Sequence, residues 1–272
     1  MNGATLAVFA ETLRRHWRGM LFWGIGIGLL GAMQALVLQD VDSLQQIADL
    51  METLPPFFVQ AFAGGDAQYM ATAEGYLASQ FFSFALVVFA AYTIGVGLQV
   101  TANEEDRGQM DVLLSLPVTR TRLILEKTAA FALLTCGVVV LTLLCIAGGI
   151  AATPALPIDM GRIAVGTLNI LPGSLLILTL TVFLGGLIGN RSRVLTIAAV
   201  VVIVSYVIDI LAVAAPGTLF GTLRTFSLFR YYDGVFVIRD GLNLGNVVLL
   251  LVVSAALLGG GVLAFNRRDV GV

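Results

Sequence analysis

The stretch NEEDRGQMDVLLSLPVTRTRLILEK, residues 103–127, is a charged island between two long apolar runs. Glu104, Glu105, Asp106, Arg107, Asp111, Arg120, Arg122, Glu126 and Lys127 carry its charge. Ionised side chains are costly in hydrocarbon, so the island lies in water or against protein. The runs on either side of it, 77–101 and 128–152, are each long enough to cross a bilayer. Composition agrees: 58% of the 272 residues are hydrophobic and 12% charged, about half the charged share of a soluble domain. The chain reads as an all-α membrane protein, one transmembrane domain over residues 1–272.

Working outward, four more apolar runs have spanning length: 19–39, 163–189, 194–214 and 245–265. Pro172-Gly173 falls inside the fourth span and is expected to kink or break it. Residues 4–18 form an amphipathic stretch, with Leu6, Phe9, Leu13 and Trp17 on one face and Glu11, Arg14, Arg15 and Arg18 on the other. That pattern predicts an interfacial helix, the alternative being a continuation of the first span. Residues 40–76 carry six acids and neither Lys nor Arg. Their periodicity (Leu44, Ile47, Met51, Leu54) and the Pro55-Pro56 stop predict short helices on the outer membrane surface. Six spans put both termini on one side. With the termini inside, eleven basic residues lie on the cytoplasmic side and four outside. Both termini and the 103–127 connector are therefore expected in the cytoplasm, with the chain in the inner or plasma membrane.

Catalytic chemistry is hard to assemble from these residues. A single histidine, His16, cannot build a zinc site or an intramembrane serine protease. Cys136 and Cys145 lie nine residues apart in one run, ~13 Å on a helix, too far to bridge. Gly26-Ile27-Gly28-Leu29-Leu30-Gly31 is a literal GxGxxG, but it lies in a membrane-length run and not between a strand and a soluble helix. Gly24 and Gly28 form a GxxxG that permits close helix contact. The only lysine, Lys127, follows no glycine-rich turn, so the chain is not a Walker-type ATPase. No basic block suits nucleic acid. No cofactor, metal ligand set or enzymatic site is expected in this chain.

Within the connector, Asn103 can cap a helix whose first turn holds Glu104, Glu105 and Asp106, where the helix dipole favours acids. Met110, Leu113, Leu114 and Pro117 share a face. Thr119 or Thr121 can cap the next helix. An apolar face on a water-exposed helix needs lipid headgroups or a protein groove, and the pattern alone leaves both open.

The arrangement Glu104-Glu105, Arg107-Gly108, Met110-Asp111, Leu113-Leu114-Ser115, Pro117-Val118, Arg120 and then Lys127 resembles the signature of the ABC-2 type permeases, membrane subunits of ATP-binding-cassette exporters. Gln109 stands where that family commonly has Thr. Phe265-Asn266-Arg267-Arg268-Asp269 resembles the family's C-terminal ending, and Glu74-Gly75-Tyr76-Leu77 its entry to the second span. The resemblance implies a permease subunit of an ATP-driven exporter that pairs with a second copy or a similar permease. It implies a separate cytoplasmic ATPase that binds ATP and magnesium. By it, Glu104, Glu105, Gly108, Leu113, Leu114, Pro117 and Arg120 form the coupling helix against that ATPase.

Asp209 is the one acid clearly inside a span. It is a substrate-path candidate by default, the alternative being that it sits near the outer end and reaches water. Tyr206, Ser205, Gln99 and Asn169 are weaker candidates of the same kind. An ion-gradient-driven secondary transporter and a non-transporting membrane assembly factor are the rival functions. The first needs broken helices or acids at matching positions in two halves.

Overall fold

The computed structural model describes residues 6–37, 72–103, 119–153, 158–215 and 217–268, with positions 45–46, 49–50, 53, 55 and 67–70 between the first two blocks. It holds six helical segments long and apolar enough to span a membrane. They are α1 (Ala7–Val37), α2 (Ala73–Leu98, with a π-helical turn at Ala78–Phe82), α3 (Arg120–Ala151), the pair α4 (Met160–Leu168) and α5 (Ile170–Ile188), α6 (Arg191–Ala214), and a last one after three short helices. The short helices are α7 (Leu219–Leu223), α8 (Leu228–Tyr232) and α9 (Gly234–Asp240), and the last span is α10 (Leu244–Arg267). The fold is an all-α membrane protein, as the sequence predicts.

Five of the six spans begin where a short polar side chain captures the first free N–H groups of a helix. Thr72 caps α2, Thr119 caps α3, Asp159 caps α4, Asn190 caps α6 and Asn243 caps α10. Of the two threonines that could start α3, Thr119 is the one used, its hydroxyl accepting from the Arg122 N–H.

The N-terminal amphipathic stretch is not a separate helix. It runs unbroken into the first span as α1, 31 residues or ~46 Å long. The reason is its partner. α3 is as long, 32 residues, and runs parallel to α1 from Phe9 beside Glu126 to Ala32 beside Gly149. Small residues set the separation: a Cβ on Gly28 would meet Cys145 Cβ at 2.6 Å, and one on Gly149 the Ala32 backbone at 2.9 Å. The GxxxG of the first span is thus one side of an internal helix pair.

The fourth span is interrupted at Asn169, three residues before Pro172. A proline lacks the N–H that would bond the carbonyl four residues back, and its ring crowds that carbonyl. For Pro172 that carbonyl belongs to Leu168, where α4 ends. Residues 217–243 carry α7, a 3-10 turn (Arg224–Phe226), α8 and α9. Most of the predicted helices of 40–76 lie outside the described residues; among the described ones, Ala67–Met70 forms a single helical turn.

Both described chain ends lie at one end of the bundle, beside the start of α3. The segment 217–243 closes the opposite end.

Candidate functional site

At the end that holds the termini, four helix ends are tied together by side chains. Arg120, the first residue of α3, donates from Nη1 to the Arg268 carbonyl at 3.0 Å, and its guanidinium lies 5.9 Å from the centre of the Phe265 ring. Arg268 in turn donates to the carbonyls of Gly185 and Gly186, at 3.4 and 3.3 Å. Those are among the last carbonyls of α5, at the negative end of its dipole, and the Gly185 carbonyl also accepts from the Gly189 N–H at 3.1 Å. Gly189, left-handed at φ +68°, ends α5 beneath this guanidinium, and a Cβ there would lie 2.2 Å from Nη2. Asn266 Nδ2 donates to Thr121 Oγ1 at 2.8 Å. The Glu126 carboxylate accepts from the Phe9 N–H at 3.1 Å and from Arg122, so α3 also caps α1. From the other side, Thr101 Oγ1 lies so close to Gly185 that a Cβ on that glycine would sit 2.3 Å away.

Of the residues expected to couple to a partner, Glu104, Glu105, Gly108, Leu113, Leu114 and Pro117 lie outside the described residues. Arg120 is described, and its guanidinium is engaged within the chain. Arg268 was legible only as part of a family-like ending; its carbonyl partners are 82 and 83 residues away in sequence. Arg268→Ala should lower the thermal midpoint in detergent, the lost charged hydrogen bonds being worth ~1.5–3 kcal/mol. Arg268→Lys, which keeps the charge but not the fork, should fall between the two. An unchanged midpoint for the alanine variant would remove this clasp from the account.

The opposite end collects four of the five path candidates. Asp209 accepts from Arg224 Nε at 2.8 Å, the pair only 19% and 28% exposed. Tyr206 packs its ring on Phe229, 5.0 Å between centroids. Asn169 is buried and donates from Nδ2 to the Tyr232 carbonyl. Ser205 receives the Leu228 N–H at 2.8 Å, while Ser227 donates to the Ser205 carbonyl at 2.8 Å. All these partners belong to the 224–232 segment, so the polar residues of α6 and the Asn169 break hold that segment down. Gln99 stands apart, at the other end of α2, with its amide toward the Gly95 carbonyl.

Tyr232 and Gly234 complete the closure. The fully buried Tyr232 donates its hydroxyl to the Phe82 carbonyl at 2.8 Å, in the π-helical turn of α2. π-turns leave backbone groups available for such contacts and recur at functional places. Between them Asp233 is left-handed at φ +46°, a conformation that Asp tolerates better than most residues. Its carboxylate makes no hydrogen bond or ion pair among the described residues. Burial pushes that carboxyl up to about 6, with Arg224 and Arg239 pulling it down and Asp209 and Asp240 pushing it up. Asp233 borders a cavity of about 510 Å³ between α9, the Asn169 break and the start of α10. No sequence motif marked it.

A family model described as "Multidrug efflux system permease Rv1217c, C-terminal domain" matches residues 7–266. No curated protein matches the chain.

Proposed function

The chain belongs to the family of that permease domain, and on this premise we propose that it is the membrane subunit of an ATP-driven exporter. It would supply the path across the cell membrane, with both termini in the cytoplasm. A separate ATP-binding-cassette ATPase, carrying ATP and magnesium, would dock on the connector 103–127, and a second permease copy or a similar chain would complete the path. The family's name speaks of multidrug efflux, which makes small organic molecules the substrate class proposed here.

One observation carries the coupling part of this reading. The connector's two flanks meet at the end of α5: Thr101 packs against Gly185, and Arg120 reaches the Gly185 and Gly186 carbonyls through Arg268. A partner that moved the connector would therefore shift the ends of α2, α3, α5 and α10 as one body. The Asp209–Arg224 ion pair weighs against the ion-gradient alternative, since a carboxylate already neutralised is poorly placed to carry an ion.

The test is co-purification with the candidate ATPase. Leu113→Asp with Leu114→Asp puts two charges on the face proposed to be buried, which should weaken docking by ~3 kcal/mol or more. The complex should separate on gel filtration and permease-stimulated ATP turnover should be lost, with the permease still monodisperse. Retained docking and turnover would refute the coupling role and bring the ion-gradient reading forward.

A further inference from the structure

The cavity at the opposite end of the bundle has the size of a small-molecule site, within the ~300–1,000 Å³ of ligand pockets. Val237, Leu242 and Leu244 give its walls aliphatic surface. Tyr231 and Phe236 give aromatic surface, Asn169 and Asn243 give amide groups, and Asp233 and Asp240 give carboxylates. The two acids differ. Asp240 is held by both arms of Arg239, at 2.9 Å each, so its charge is already met. Asp233 is half-buried and has no side-chain partner among the described residues.

The other charged groups around Asp233 are also engaged. Arg224 of the 3-10 turn pairs with Asp209 of α6. Arg239 of α9 pairs with Asp240 and stacks 4.7 Å from the centre of the Phe236 ring. Arg162 of α4 faces Asp159 at 3.7 Å. The neighbouring Tyr232 hydroxyl is directed to the Phe82 carbonyl. Arg230 of α8 donates to Thr225 Oγ1 at 2.8 Å and stands 6.0 Å from the centre of the Tyr231 ring. Among the described residues no basic side chain pairs with Asp233.

We propose that this cavity binds a monovalent organic cation with aromatic or apolar substituents, the cationic centre facing Asp233 and the substituents the Tyr231 and Phe236 rings. The site has one unmet negative charge and π faces, which together suit a soft, weakly hydrated cation. A metal ion fits poorly: no three His, Cys, Asp or Glu side chains among the described residues stand where they could hold one. Because the Asp233 carboxyl titrates near 6, the site is filled by a cation above that pH and by a proton below it. Entry of the cation and protonation of Asp233 exclude each other. What becomes of the bound cation rests on the transport reading; the binding itself does not.

The experiment therefore reads binding without transport. Purified chain in detergent, with no ATPase present, is titrated with tetraphenylphosphonium by calorimetry at pH 7.5 and pH 5.0, beside the neutral triphenylphosphine oxide. Affinity for the cation should fall about tenfold at the lower pH, following the ionised fraction of a group with a pKa near 6. The neutral compound should show no such change. Asp233→Asn, which suits the same left-handed backbone, should bind the cation weakly and equally at both pH values. Equal cation affinity at the two pH values in the wild-type chain would overturn the proposal, and so would full affinity in Asp233→Asn. Should that variant not fold, the wild-type pH series decides alone. Failure of ATPase docking with intact cation binding would count against the exporter reading only.

Discussion

Gly234→Val should release the 224–240 segment from α2 and lower the thermal midpoint more than any other single change proposed here. A Cβ at Gly234 would lie 2.4 Å from the Phe82 carbonyl oxygen and 2.6 Å from the Tyr232 ring. Neither neighbour can yield cheaply. One is backbone in the π-turn of a buried helix, and the other is a fully buried ring whose hydroxyl is bonded to that same carbonyl. Overpacking of a close-packed site costs ~1–3 kcal/mol when side chains can adjust, and more when backbone must move. Tyr232→Phe separates packing from hydrogen bonding. It keeps the ring and removes the donor, leaving a buried carbonyl short of a partner at ~1–3 kcal/mol. The ordering wild type, Tyr232→Phe, Gly234→Val in thermal midpoint is the expected result. Equal midpoints for Gly234→Val and wild type would mean that this corner does not hold the segment.

Asp209→Leu alone and Arg224→Met alone should each destabilise the chain, while the double replacement should restore much of the loss. Each single change strands one charge in a partly buried place. For fully buried pairs that costs ~3–5 kcal/mol. Here roughly a fifth to a quarter of each side chain stays exposed, which lowers the expectation to ~1–3 kcal/mol. The interaction energy from the double-mutant cycle measures the pair. The same variants separate two roles for Asp209. If it anchors α6 to the 3-10 turn, the efflux proposed for the chain should return in the double variant along with stability. If its charge serves transport directly, efflux should stay lost when stability has returned.

Asp233 adds a pH signature. Its folded pKa lies above the ordinary carboxylate value, so the native state holds this proton more tightly than the unfolded chain. The sign follows from linkage: the stabilising contribution is full below the unfolded pKa near 4 and is lost as pH rises through about 6. Asp233→Asn should therefore flatten the fall in thermal midpoint between pH 5 and pH 7.5. A slope equal to that of wild type would mean that Asp233 titrates at its ordinary value.

The six spans were legible because hydrocarbon imposes a local demand, ~20 apolar residues in a row, and runs such as 128–152 and 245–265 meet it without reference to anything else in the chain. One helix start was legible for the same reason: Thr119 or Thr121 could supply the acceptor that the first N–H groups of α3 need, and Thr119 is the one used. Pro172 announced a broken helix, although the break falls at Asn169, because the missing bond belongs to the carbonyl four residues earlier.

Residue patterns could not show what those spans do to one another. The first helix has no stop at Arg18 because α3 offers it a partner of equal length, and that partner begins more than a hundred residues later. Asp209 looked like a lone charge in a membrane until the fold brought Arg224 to it. Arg268 found its carbonyls on α5, Tyr232 found the π-turn of α2, and Asp233 was left facing a cavity. Sequence alone determined which segments must leave water and, within two residues, where α3 begins, since burial of apolar surface and capping are settled among near neighbours. Only the tertiary structure decided which buried polar groups are satisfied, because a hydrogen bond or ion pair depends on position in space, and partners 15 to 150 residues apart are brought together only by packing.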